Sequence, residues 1–426
     1  MLPLLVVLSS AHALSLEEAW AAAAAHGTHG QLARESFRAQ ATDRGAAWSL
    51  LSPKLVLRGN YTLNDQELVF DTSAMIPENL APLLGETEPM VVQQKDYFDA
   101  NFSVVQPLFS GKALPLLLAA HRGVDAARET LRGDEARIKK GVAEAYWGVL
   151  LAREGVAIAE AALESAKKHR ELAEKSAEVG IAAPTVRLQA QIAESRAGRD
   201  LARAVEGRVT AETALANLTG LDGAVAVEAP GRRELPWADV DGVLDAALDA
   251  RPGLRAARER VKAASLAATA RTMDWLPDVN GRFTYVWTEN TSVFNDRPEF
   301  WMVVVEGEWV LWDGGYRLSQ QARSAAERRM AVLAAELEED TTDAEVRVRW
   351  EAWTRAGRAL QTVEHELELA KENLRLAEVA WESGAITFLE LEDARLGEAA
   401  SRLGVVEERM RLDLAALGLL ESAGRL

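Results

Sequence analysis

The strongest constraint on this chain is that it repeats itself. Pro53, Arg58 and Tyr61 recur as Pro277, Arg282 and Tyr285, each pair separated by 224 residues. Gly180 and Gly384 are separated by 204 residues, and Gly111 and Gly314 by 203. The same succession of local patterns surrounds each landmark. A duplicated unit that mixes long helices with alternating strands permits few architectures, because each copy needs neighbours to cover its apolar faces.

The strand pattern is a period of two. Leu55, Leu57, Gly59, Tyr61 and Leu63 fall on one face, opposed by Lys54, Arg58, Asn60, Thr62 and Asn64. From Tyr97 onward Phe98, Ala100, Phe102 and Val104 share a face against Asp99, Asn101 and Ser103. Val279, Gly281, Phe283, Tyr285 and Trp287 alternate in the second copy, and Phe300 to Trp312 reads as a fourth strand. Residues 65–95, with Pro77, Pro82 and Pro89, read as a loop.

The helical pattern is a 3,4 spacing. Val142, Ala145, Val149, Ala152, Val156 and Ala159 form a seam, as do Val363, Leu367, Ala370, Leu374, Ala377 and Trp381. Such seams belong to coiled coils, and alanine knobs let helices approach closely. A helix over 111–179 would span on the order of 100 Å, too long for a globular core. Gly180 and Gly384 fit C-terminal turn positions, and Pro184 can open a returning helix. Residues 16–51 and 243–273 each read as one helix.

These signals divide the chain. Residues 1–13 resemble a secretory signal, with an apolar core and an A-x-A end. The first repeat covers 14–220, with strands about 54–64 and 97–109 and a helical hairpin over 111–219. A connector covers 221–239. The second repeat covers 240–426, with strands about 278–288 and 300–312 and a hairpin over 313–420. The fold class is mostly α with membrane β. Four strands cannot close a barrel alone, and open edges are an aggregation hazard unless other chains pair with them. Tyr61, Tyr97, Tyr285, Trp287, Trp301, Trp309 and Trp312 lie on or beside the strands, the composition of aromatic girdles at bilayer interfaces.

Composition excludes several alternatives. With no Cys in 426 residues, disulfides, thiolate metal sites and Cys nucleophiles are ruled out. A net charge of −17 argues against nucleic-acid binding, which needs clustered Lys and Arg. His26 and His29 lack nearby ligands to complete a metal site, and the 7 Met do not cluster. Gly314 and Gly315 form a turn without the Lys-Ser/Thr of a phosphate loop. No cofactor and no catalytic constellation is indicated.

The chain resembles the TolC-like outer-membrane efflux protein family. The resemblance rests on Leu16 to Ala19, Pro53 and Pro277, Gln106 to Gly111, Ala216 to Gly220, Arg251 to Ala257, and the turns at Val179 to Ala183 and Ser383 to Thr387. It implies a homotrimer sharing a 12-stranded β-barrel in the outer membrane of a Gram-negative-type bacterium, with an α-helical coiled-coil barrel extending into the periplasm. It implies a passive duct of a tripartite efflux or type I secretion system. The partners would be outer-membrane lipid, a periplasmic adaptor and an inner-membrane pump, proton-driven or ATP-driven. A structural coiled-coil protein of the envelope, not a channel, is the alternative, and it leaves the four strands unexplained.

The resemblance also assigns residues. Glu390 and Asp393, at i and i+3, share a helix face where the family carries paired aspartates at the pore entrance. Three-fold symmetry makes them stacked carboxylate rings that attract cations, and crowding raises carboxylate pKa values. Val186 and Gln189 occupy the equivalent sites of the first repeat, so the ring comes from the second repeat alone. Gly180, Ile181, Gly384 and Ala385 are the adaptor-docking candidates. Trp381 and Ile386 stand where the best-known member of the family has a hydrogen-bonding Tyr and Arg. Trp381 keeps a donor and Ile386 does not, which makes Trp381 the candidate entrance latch.

Overall fold

The computed structural model describes residues 14–70, 90–179, 183–221, 226–291 and 297–426. The signal-like segment 1–13 and the tip residues Gly180 and Ile181 lie outside the described residues. The chain forms two compact units. One takes in Ala126–Arg258, Leu333–Leu426 and the N-terminal segment up to Ala39; the other takes in Gln40–Asp125 and Glu259–Val332.

The chain begins with α1 (Leu16–His26), α2 (Thr28–Ala41) and α3 (Asp43–Trp48), three helices where one was expected. A capping box opens α1: Ser15 Oγ accepts from the Glu18 N–H, and Glu18 accepts from the Ser15 N–H at 2.8 Å. The break falls at Gly27, which is extended (φ −63°, ψ 131°). A Cβ there would stand 2.6 Å from the Leu218 carbonyl oxygen, so only glycine lets the two backbones pass.

The long helices are α4 (Ala113–Glu178), of 66 residues, and α8 (Tyr316–Glu382), of 67. Each is followed by a returning helix, α5 (Pro184–Thr219) and α9 (Phe388–Ser422). Between the hairpins stand α6 (Val240–Ala250) and α7 (Pro252–Met273), again two helices where one was expected. Arg251 is held near φ −58°, ψ 122°, because a residue before proline is pushed out of the helical region. Among the described residues no helix is long and apolar enough to cross a membrane.

The helical unit is centred on Leu16, Ala19, Val142, Tyr146, Val149, Leu215 and Leu417, each at most 2% exposed. The Tyr146 hydroxyl lies 2.6 Å from the Leu14 carbonyl and 2.8 Å from that of Glu228, and it accepts from the Glu228 N–H. It thereby ties α4 to the segments before α1 and before α6. Nearby, buried Asp413 accepts from Trp147 Nε1 at 2.8 Å and pairs with Arg233 at 2.7 Å.

The second unit holds a four-stranded antiparallel sheet. Its strands are β1 (Lys54–Leu63), β4 (Asp96–Phe109), β5 (Asp278–Thr288) and β6 (Glu299–Glu308), in spatial order β1-β4-β5-β6. A two-stranded ribbon, β2 (Leu68–Phe70) with β3 (Met90–Gln93), stands where only loop was expected. Register puts Leu57 beside Phe102, Phe102 beside Tyr285, and Tyr285 beside Trp301. Arg58 is beside Asn101, and Arg282 is beside Val105 and Val304. Because alternate residues share a face, one side of the sheet is apolar and aromatic across all four strands. The other carries the polar side chains, including an Arg282–Glu306 pair at 3.5 Å.

The fourth strand ends earlier than its aromatic content suggested. Trp309 to Trp312 lie outside it. Arg317, only 7% exposed, explains this. Its guanidinium pairs with Asp313 at 2.8 Å, donates to the Asp274 and Val310 carbonyls, and sits 4.3 Å over the Trp275 ring. Those bonds take the chain out of the ladder and into α8.

Candidate functional site

The candidate entrance lies at the tip of the hairpin formed by α8 and α9. The turn is a Schellman motif: the Ala385 N–H donates to the Ala380 carbonyl and the Gly384 N–H to that of Trp381. Gly384 carries φ +73°, the left-handed conformation this motif needs. Thr387 then caps α9. Its hydroxyl accepts from the Glu390 N–H, and the Glu390 carboxylate accepts from the Thr387 N–H at 2.7 Å and from its hydroxyl at 2.9 Å.

Glu390 is therefore bound to its own helix start. The hydrogen bond from the Thr387 backbone, then that from its hydroxyl, hold the carboxyl below the ordinary glutamate range. Within one chain this pull is opposite in direction to the crowding expected of a ring. Asp393 lies one turn further on, exposed and without an ion pair or hydrogen bond among the described residues. Leu391 and Ala394, on the adjacent face of the helix, are buried. The sequence spacing thus brings Glu390 and Asp393 to one exposed flank, but only Asp393 has an uncommitted carboxylate. Val186 and Gln189 of the first hairpin are also exposed.

Trp381 packs edge-on against Phe388, with ring centroids 5.7 Å apart at 71°. Phe388 in turn stacks on His169 of α4 at 4.5 Å. Its indole N–H makes no hydrogen bond among the described residues, so the ring contact is what Trp381 contributes. Arg395 extends the link: it lies 3.2 Å from Glu392, 3.6 Å from Glu378 and 3.5 Å from the buried Ser165 hydroxyl of α4. Arg402 pairs with Glu154 further along. His169, Phe388 and Ser165 were not foreseen, since no local spacing relates residues so distant in sequence. The Glu390 cap was legible in principle: Thr387-x-x-Glu390 is the sequence form of a capping box. His29 lines an open cavity of about 500 Å³ with Leu32, Asp134 and Arg137. Among the described residues no group of three His, Asp or Glu side chains is placed to hold a metal.

The outer membrane efflux protein family model matches residues 30–221 and 243–425, and the chain belongs to that family. The fold is shared with solved outer-membrane proteins. The CmeC outer membrane channel of Campylobacter jejuni is 14% identical, with a TM-score of 0.77 over 96% of this chain and 85% of that one. VceC of Vibrio cholerae is 19% identical, with a TM-score of 0.72 over 96% of each chain. The MtrE outer membrane channel of Neisseria gonorrhoeae, solved in its open state, is 17% identical, with a TM-score of 0.71 over 96% of this chain and 88% of that one. No curated protein sequence matches the chain.

Proposed function

We propose that three copies of this outer-membrane efflux protein form one passive export channel, with a 12-stranded barrel in the membrane and a helical tunnel in the periplasm. The observation that carries this reading is the four-stranded sheet. Its outer strands β1 and β6 pair with nothing further among the described residues, and its apolar face exposes Leu57, Trp301 and Val305 by about two thirds or more. Such a sheet needs lipid on that face and further strands at both edges. Three such sheets in succession remove every edge. The test is electrophoretic and electrical. Unheated protein in mild detergent should migrate as a trimer, convert to monomer on heating, and form ion-conducting pores in planar bilayers. Monomeric migration without conductance would sink the proposal.

In this reading the tips meet a periplasmic adaptor, joined in turn to an inner-membrane pump. The tight turn at Gly384 and Ala385, with Gly180 in the other hairpin, offers small residues that let helix hairpins dock closely, and Ile181 adds an apolar contact. The rings at Trp381, Phe388 and His169 act as the entrance latch. The Glu390 and Asp393 rings set ion preference, with Asp393 dominant because its carboxylate is free. Asp393→Asn should reduce cation preference and divalent block in bilayers more than Glu390→Gln does. Equal effects, or none, would remove Asp393 from that role.

A further inference from the structure

The connector between the repeats helps to enclose a cavity. Residues Ala229 to Arg233 have irregular backbone, and with α4, α8 and α9 they wall a space of about 410 Å³. Its apolar lining is Trp147 of α4, Leu360 of α8, and Leu412 and Ala416 of α9, each at most 7% exposed. The Trp147 indole N–H is already committed to Asp413, so that ring adds apolar surface. Pockets that take small molecules run to about 300–1,000 Å³ and combine apolar walls with a few polar groups that fix orientation.

The charged groups here are three guanidiniums, Arg232, Arg233 and Arg409, and two carboxylates, Glu364 and Asp413. Both oxygens of buried Asp413 are taken, one by Trp147 at 2.8 Å and one by Arg233 at 2.7 Å. Arg233 also lies 5.0 Å over the Trp20 ring. Glu364 pairs with Arg409 at 3.0 Å. Three positive groups against two negative leave one positive charge at the cavity, on a chain of net charge −17. Arg232 supplies it. That side chain is exposed and makes no ion pair or hydrogen bond among the described residues. The backbone N–H groups of Gly231, Arg232 and Arg233 also donate to nothing among them. A guanidinium with unused donors matches a carboxylate, which it can hold through two parallel hydrogen bonds.

We infer that this cavity binds a small organic monoanion, a carboxylate on a compact apolar body, with the carboxylate on Arg232 and the body against Trp147, Leu360 and Leu412. The lining selects that class. A cation would meet the surplus positive charge. An uncharged apolar molecule would leave Arg232 unanswered, and inorganic phosphate would leave the apolar wall uncovered. Because α4 belongs to the first hairpin and α8 and α9 to the second, an occupied cavity braces the two repeats through the strap that joins them. The cavity lies within the helical unit of one chain, so the inference goes beyond the channel reading and does not rest on it.

The test is calorimetric titration of the protein in detergent, at neutral pH, with 2-naphthoate and with 2-naphthol, which keeps the apolar body and lacks the charge. 2-Naphthoate should bind saturably, one per chain, and 2-naphthol about tenfold more weakly or worse, the cost of a lost charge-assisted hydrogen bond. Arg232→Gln should weaken 2-naphthoate by about tenfold or more and leave 2-naphthol unchanged. Arg196→Gln, at an exposed arginine of α5, should change neither. Leu360→Trp should fill the cavity and abolish both, with circular-dichroism melting to show that the fold survives. If that variant melts early, Arg232→Gln carries the test alone. Equal affinity for the two probes overturns the anion site. 2-Naphthoate binding that Arg232→Gln leaves untouched also overturns it, by placing the probe in the micelle or on the sheet, and so does the absence of saturable binding. Heat-modified migration reads the trimer separately, so the two readings can fail independently.

Discussion

At the scale of single residues, Glu390 shows how one carboxylate is claimed by local chemistry before any assembly forms. Its hydrogen bonds from Thr387 depress its pKa in the folded chain. A depressed carboxyl stabilises the fold above its unfolded pKa, and that contribution is lost as pH falls through the folded value. Carbon-13 NMR titration should therefore place Glu390 below its ordinary value of 4.5, and acidification should fray the first turn of α9. Thr387→Ala should return the titration toward that value and cost about 1 kcal/mol of helix stability, read as faster amide exchange over Phe388 to Leu391. An unshifted titration in both proteins would exclude the cap. Tyr146→Phe removes the single O–H available to the Leu14 and Glu228 carbonyls and the acceptor of the Glu228 N–H. It should cost about 1–3 kcal/mol by denaturant unfolding. The acidic identity of Glu390 and Asp393 and their shared helix flank were legible from spacing alone. Which carboxylate is free follows from the Thr387-x-x-Glu390 capping-box pattern once the helix is known to start at Phe388.

At the scale of elements, turn chemistry and periodicity were the readable parts. Gly384 was recognised as a helix end, and the structure supplies the reason in its left-handed φ and paired Schellman bonds. Gly384→Ala should destabilise the tip by about 1–2 kcal/mol, the penalty of a side chain in that conformation. Hydrogen exchange that accelerates on both sides of the turn is the readout. The period-two stretch at Lys54 became β1, but the aromatic run ending at Trp312 continued the strand pattern past its true end. Propensity favours strand at Trp309 and Trp312, and the buried Arg317 overrides it by holding the Val310 and Asp274 carbonyls. Arg317→Met keeps the volume and removes the donors. Altered near-UV dichroism from Trp275 and Trp309 would show the junction loosening, whereas an unchanged spectrum would show that Arg317 is dispensable. The breaks at Gly27 and Arg251 were missed for the opposite reason. Helix-favouring residues stand on both sides of each; the break at Gly27 is set by the Leu218 backbone that passes it, whereas that at Arg251 follows from Pro252, a local signal.

At the scale of the whole molecule, the described residues leave uncovered one apolar face and two edges of the four-stranded sheet. The proposed trimer accounts for each. Trp381→Ala removes the ring that meets Phe388 and should raise the open-channel fraction in bilayers, with assembly unchanged by heat-modified migration. A variant that gates like the parent would discard the latch. The sequence by itself determined where helices and strands run and which faces are apolar, because those properties arise from spacings of two to four residues and from glycine and proline at particular turns. Only the tertiary structure decided that β4 pairs with β5, that His169 meets Phe388, and that Arg170 pairs with Glu194. Such contacts join segments remote in sequence, and their register is set by side-chain packing between finished elements, which no local period encodes.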